Sequence, residues 1–450
     1  MSGKRIFYGV VTLLAVIIIA VAFYLNSLLP IITGYAAKNL CSAVFVSGRQ
    51  PAEVENVDLN FSFIKYNKNE VNFDEKSVTS RFLWGKSKAV YREGFGTTLL
   101  REVPEEDLRK IQFPARTDPC YLQDTIPWPL GDILPDTTTG IDLQKLGRIS
   151  TELMSDNGYN GNAFAFLVLH KGIPVAEVYE PQFNKDTKFL GWSMAKSVIN
   201  ALVGIEVMKG NMDISKPAAI REWRNTEKNA ITINDLMQMQ SGLEWNEDYG
   251  NRSDVTLMLH CEEDMSRFTY EKRLEYPVGE HWYYSSGTTN IVSYLLREQF
   301  NNDSLYYSSF YTELFNKTGM TDVIFEADPS GTIVGSSYLY ASARDYARFA
   351  LLYENDGVFN GERILPEGWV DYSRSATKAS NGAYGSFWWL NRNKALPSAP
   401  EDMYYCVGHD GQRIFILPEE ELIIIVLGYS PTSNGGMDFD RLLKDITGIL

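Results

Sequence analysis

Between Arg5 and Lys38 the chain carries no charged residue, and Ile6 to Leu25 (IFYGVVTLLAVIIIAVAFYL) is almost wholly apolar. At about 1.5 Å per residue such a helix is roughly 30 Å long, the thickness of a bilayer's hydrocarbon core. Phe7 and Tyr8 at one end and Phe23 and Tyr24 at the other would lie near the two membrane interfaces. A cleaved secretory signal has a shorter apolar core, about 7–15 residues, so the run favours an uncleaved transmembrane anchor. Lys4 and Arg5 precede it, which puts the N-terminus in the cytoplasm and everything after about Pro30 outside, in the periplasm of a Gram-negative cell.

The remainder is long enough for a large core, with 44% hydrophobic residues in 450. Formal net charge is −15, and the first forty residues hold bases but no acid, so the exported part is more acidic still. Such a surface repels phosphate backbones, which excludes a nucleic-acid partner, and it repels anionic lipid heads. The four histidines (His170, His260, His281, His409) stand far apart, so no metal site is expected, and the HCEED run from His260 reads as a solvated loop. Four cysteines (Cys41, Cys120, Cys261, Cys406) allow three full pairings, with Cys41–Cys120 the first to consider because both lie in the N-terminal region.

Four segments follow from composition and breakers: an anchor over 1–40, an N-terminal module over 41–126, a linker over 127–140 and a large domain over 141–450. Residues 77–100 suggest a hairpin turning near Gly85, and the linker packs three prolines and two glycines into PWPLGDILPDTTTG. A second hairpin spans Ala163 to Glu180 around Lys171-Gly172, a third spans Arg413 to Ser430, and the segment between about 231 and 355 is mostly helical. The end of the chain, Phe439 to Leu450, has helical periodicity. Strands at both ends with helices between predict an α+β fold: an antiparallel sheet flanked by helices, with a helical subdomain and an N-terminal transmembrane helix.

The chemistry gathers in three places. Ser193 and Lys196 lie three apart at the start of an apolar helix, GWSMAKSVINALVGI, so hydroxyl and amine share a face. A serine needs a base to become a nucleophile, and a lysine buried among Met194, Ala195, Val198 and Ile199 loses part of its charge. The N–H of a serine in the first turn is half of an oxyanion hole. Tyr284 precedes Ser285-Ser286-Gly287 on a turn before another helix, where a phenol can relay a proton. His409-Asp410-Gly411 opens a strand; Gly411 allows close approach to the backbone, and the next N–H, that of Gln412, is a second oxyanion donor.

In this order the three segments resemble the Ser-x-x-K, Tyr-x-Asn and Lys-Thr-Gly elements of the serine β-lactamase and penicillin-binding-protein superfamily. The nearer resemblance is to the class C β-lactamase-related branch, with its DD-peptidases, esterases and 6-aminohexanoate-dimer hydrolases; ITINDLMQMQSGLEW, LYASARDYARFALLYENDGVFNGERILPEGWV and YGSFWWLN support it. It implies a β-lactamase/transpeptidase-like fold and a cofactor-free acyl-enzyme hydrolase of small amides or esters, with a DD-peptidase, a carboxylesterase or a non-catalytic peptide- or glycan-binding relative as the alternatives. Ser193 would be the nucleophile, Lys196 and Tyr284 the coupled base and acid, and Gln412 an oxyanion donor. Ser286, His409, Asp410 and Gly411 would fall on the substrate side. Two departures stand out: Ser286 replaces the second element's Asn, and Asp410 replaces a hydroxyl that helps hold a substrate carboxylate, which an acid would repel.

Overall fold

A computed structural model describes residues 3–114, 123–136 and 140–450. Its first helix, α1 (Gly3–Phe45), is 43 residues long and runs through Pro30 without a break. The boundary expected at residue 40 therefore falls inside a continuous helix. Phe7 to Tyr24 are exposed, whereas Leu29, Ala36, Ala37, Leu40 and Cys41 are buried. Only the first half is both apolar and bare, and it is long enough to cross a membrane.

The second half of α1 is the core of the N-terminal module. A four-stranded antiparallel sheet, β1 (Lys68–Asn72), β2 (Ser77–Phe82), β3 (Gly85–Arg92) and β4 (Gly96–Leu99), wraps it in sequential order. The β2–β3 turn falls on Leu83-Trp84, beside the expected Gly85. Val78, Ala89 and Leu99 point inward onto Ala36, Leu40 and Cys41. Cys41 directs its thiol to the Ala89 carbonyl (3.7 Å), while Cys120, its first candidate partner, lies outside the described residues.

The large domain is built on a six-stranded antiparallel sheet. Its strands are β5 (Ala163–His170), β6 (Ile173–Tyr179), β7 (Trp389–Leu390), β8 (Tyr404–Val407), β9 (Arg413–Leu417) and β10 (Leu422–Gly428), in the order β7-β8-β9-β10-β5-β6. β5 and β10 are central and buried on both faces, hence their unbroken apolar runs. Alternate residues serve different cores: Leu167, Leu169, Ile423 and Ile425 join the helical subdomain, while Phe166, Val168, Ile424 and Val426 join α2 (Leu143–Leu153) and α7 (Phe439–Thr447). α7 meets the sheet with Phe439, Leu442, Leu443 and Ile446, an i, i+3, i+4, i+7 stripe.

On the other face lie α3 (Ala195–Met208), α4 (Asp254–Cys261), α5 (Ser286–Arg297) and α6 (Ala343–Glu354). His260 corrects the expectation of a solvated HCEED loop: it is 1% exposed at the end of α4, edge-on to Tyr35 of α1, and burial pulls its pKa down to about 3. The expected linker is likewise packed down. Arg348 of α6 donates to the Pro129 and Gly131 carbonyls (2.7 and 2.9 Å) and pairs with Asp132.

The module is locked to the large domain by a buried ion pair between Lys38 of α1 and Glu326. Ser42 and the Thr97 N–H also donate to Glu326 (2.9 and 2.6 Å). A carboxylate with three donors is tolerated in the interior, and here it ties three segments at one point.

Candidate active site

The turn that presents Ser193 is sterically fixed. A Cβ on Gly191 would lie 2.3 Å from the Tyr346 hydroxyl, and one on Gly408 would lie 2.3 Å from the Gly191 carbonyl. Trp192 is buried with φ +47°, a conformation that costs a bulky residue of order 1 kcal/mol. The following residues form a 3₁₀ turn, Trp192–Met194, leading into α3. Lys196 thereby lies one turn beyond Ser193.

Lys196 is 1% exposed. Its Nζ meets three oxygens: Ser193 Oγ at 2.8 Å, Ser286 Oγ at 3.0 Å and the Ser336 carbonyl at 3.0 Å. A neutral amine has two N–H bonds and a lone pair. Donation to Ser286 and Ser336 leaves the lone pair facing Ser193, ready to take its proton. Burial lowers the Lys196 pKa to about 8, against a pull upward from the Glu247 carboxylate.

Glu247 was not legible from its sequence neighbourhood, where Glu244, Glu247 and Asp248 look like a solvated acidic loop. Its side chain is instead turned inward. It accepts from the Ser286 hydroxyl and N–H (2.9 Å to the latter) and from Trp245, and burial raises its pKa. Ser286, grouped above with substrate contacts, is fully buried and bridges Lys196 to this carboxyl. Its short side chain leaves room for the acid behind it.

Tyr284 leans over the same point. Lys196 Nζ is 4.8 Å from its ring centroid, Trp389 stacks on it at 5.3 Å, and its phenol faces the Ser193 hydroxyl. Burial and the nearby Tyr384 and Glu247 hold its pKa well above the usual value, so it stays a protonated phenol and serves as a donor. Lysine and tyrosine thus differ in role: one can accept a proton at neutral pH, the other can give one.

The groups open on a cleft of about 260 Å³ lined by Ser193, Tyr284, Tyr249, His409, Asp410 and Arg413. His409 stacks on Tyr249 at 4.5 Å and lies 3.3 Å from Asp410. Asp410 and Gly411 both have positive φ, +57° and +96°, which forms the tight turn into β9. Gln412 is buried, its amide clamped by the Gly428 carbonyl and N–H (2.6 and 3.0 Å), which fixes its backbone opposite Gly408. Arg413 is the second residue that the sequence did not single out. Its guanidinium donates to the Gly408 and Gln412 carbonyls (3.1 and 2.8 Å), stacks over Phe439, and is pulled down to about 10 by burial. The cationic partner of Asp410 is His409, while Arg413 lines the same cleft.

Fold and site together define a serine hydrolase. The Beta-lactamase family matches residues 151–448, and the chain belongs to it. A 6-aminohexanoate-dimer hydrolase of Paenarthrobacter ureafaciens is 24% identical over 294 residues, 59% of this chain and 72% of that protein. Two solved structures share the fold. One is a Bacillus anthracis protein provisionally assigned as a 6-aminohexanoate-dimer hydrolase (TM-score 0.55, 21% identity, 75% of this chain and 86% of that one). The other is a class C β-lactamase with cefoxitin (TM-score 0.52, 13% identity, 69% and 100%).

Proposed function

We propose that this chain is a membrane-tethered, extracytoplasmic amide or ester hydrolase that works through an acyl-enzyme on Ser193, with short amides of the 6-aminohexanoate-dimer type as its substrate class. The observation that carries the reading is the 2.8 Å contact between Ser193 Oγ and a lysine whose pKa is drawn down to about 8.

Ser193 Oγ attacks the substrate carbonyl carbon as its proton passes to Lys196. The Ser193 and Gln412 N–H groups receive the oxyanion. Tyr284 then protonates the leaving amine or alcohol, is reprotonated from Lys196, and the C–N or C–O bond breaks. Water, deprotonated by the same pair, releases the acid and restores the serine. The reaction uses only side chains, backbone N–H groups and water.

Substrate class is argued from the cleft wall and the relative. Asp410 on the cleft wall suits an ammonium, which favours an amine-bearing short amide. A β-lactam carries its carboxylate beside the reacting ring, where Asp410 replaces the usual hydroxyl. Purified full-length enzyme should therefore hydrolyse 6-aminohexanoate dimer and neutral esters faster than a chromogenic cephalosporin. Efficient cephalosporin turnover with no amide turnover would refute the substrate class while leaving the acyl-enzyme chemistry intact.

A further inference from the structure

The N-terminal module has apolar side chains on its surface, and several collect where the bare half of α1 enters it. The β2–β3 turn presents Leu83 and Trp84 at 61% and 57% exposure, and Trp84 Nε1 donates to Asn26 Oδ1 (3.2 Å). Asn26 stands two residues after Tyr24, the last of the exposed apolar stretch. Beside this turn, Phe63 and Tyr66 (55% and 58% exposed) pack their rings against Phe82, and Lys65 lies over the Tyr66 ring at 5.3 Å. β3 is pressed onto α1 here, since a Cβ on Gly85 would fall 2.7 Å from Leu29 Cβ.

The exposed stretch Phe7 to Tyr24 is about 27 Å long at 1.5 Å per residue, close to one hydrocarbon thickness. If that stretch spans the bilayer its upper end falls at headgroup level, with Trp84 bonded beside it and Phe63 and Tyr66 next to the same turn through Phe82. Aromatic side chains with one polar atom are the groups that favour this zone, and a lysine among them reaches lipid phosphates.

We propose that Phe63, Tyr66, Leu83 and Trp84 form a collar that seats the module in the headgroup layer of the membrane crossed by α1, so that the helix is a rigid mount and not a flexible tether. The proposal rests on the spanning reading of α1 and is independent of the substrate class. The mount sets the height of the active site. Tyr35, Asn39 and Ala43 of α1 form a small cavity with Trp192, Asp410 and Gln412, the back of the catalytic turn. Those helix residues lie about 14–26 Å beyond Asn26, measured along the helix. With α1 continuous and Lys38 paired to Glu326, the cleft is held at that distance from the lipid surface, within reach of soluble substrates and above lipid tails.

The test uses tryptophan emission, because α1 contains no tryptophan and the chain has nine, all beyond it. The full chain is placed in phosphatidylcholine vesicles whose acyl chains are brominated just below the headgroup. The expected result is loss of about one-ninth of the emission, abolished in Trp84→Phe and kept in Phe73→Ser, a residue equally exposed but beside Phe45 at the far end of α1. Co-flotation with vesicles after an alkaline wash, but no quenching, would overturn the collar alone. Failure to co-float would overturn the spanning reading with it. Quenching unchanged by Trp84→Phe would assign the contact to another face, and loss of Trp84 quenching at high protein-to-lipid ratio would assign the patch to a second copy; both refute the proposal.

Discussion

On the proposed mechanism the dependence of activity on pH should follow the state of Lys196. With a pKa of about 8, the neutral amine is about 3% of the total at pH 6.5, half at pH 8 and nearly all at pH 9.5. For a neutral ester, kcat/KM should thus rise about 30-fold between pH 6.5 and 9.5 and level off above about 8.5. A lysine with the ordinary pKa of about 10.4 would give a rise of about 900-fold over the same range and no plateau. Because Lys196 and Glu247 are electrostatically coupled, the midpoint belongs to the pair. Glu247→Gln supplies the second reading: the Glu247 charge holds the lysine pKa up, so its removal should move the rising limb towards acid. The measurement is kcat/KM for a p-nitrophenyl ester, with buffer and ionic strength held constant. A profile that is flat from pH 6.5, or one still climbing log-linearly at pH 10, would refute a buried lysine base.

The same lysine weakens the fold. Its folded pKa lies below its unfolded value, so between about pH 8 and 10.4 the unfolded chain binds more protons and stability rises with pH; below pH 8 the full penalty applies, about 3 kcal/mol. Lys196→Met should therefore melt a few degrees higher than wild type at pH 7 while losing activity, and its melting temperature should no longer climb over that window. Glu326→Gln should do the opposite, leaving Lys38 buried without its counter-charge at a cost of about 3–5 kcal/mol, seen as a lower chemical-denaturation midpoint. Gly408→Ala places a methyl group against the Gly191 carbonyl and Gln412, prising the serine turn from the oxyanion strand; kcat should fall about 10²-fold while the circular dichroism spectrum is kept.

Local patterns were legible because they are local. The Ser193–Lys196 spacing sets a shared helix face whatever the rest of the chain does, and the hairpins at 163–180 and 413–430 follow from apolar runs around turn residues. Glu247 and Arg413 were not, because a charge in an acidic loop and a charge at a strand start each default to solvent. Only the meeting of α5 with the 247 loop, and of β9 with α7, turns them inward. The chain is uncharged between Arg5 and Lys38, so the sequence puts the anchor's end at residue 40; only packing of the second half of α1 against the four-stranded sheet makes it core. In the fold the helix continues through Pro30, with Arg101 donating to the Pro30 carbonyl (3.1 Å) and Leu29 seated against Gly85. His260 belongs to the same class: its burial comes from Tyr35, more than two hundred positions away.

The central claim is that Ser193 becomes a covalent nucleophile because Lys196 takes its proton. Intact-mass and peptide mass spectrometry after brief exposure to a fluorophosphonate tests it directly. The account predicts one adduct, on Ser193, absent from Ser193→Ala and formed at least about 10²-fold more slowly in Lys196→Met at pH 8. An adduct on another residue, or labelling of Ser193 at the wild-type rate without the lysine, would contradict it.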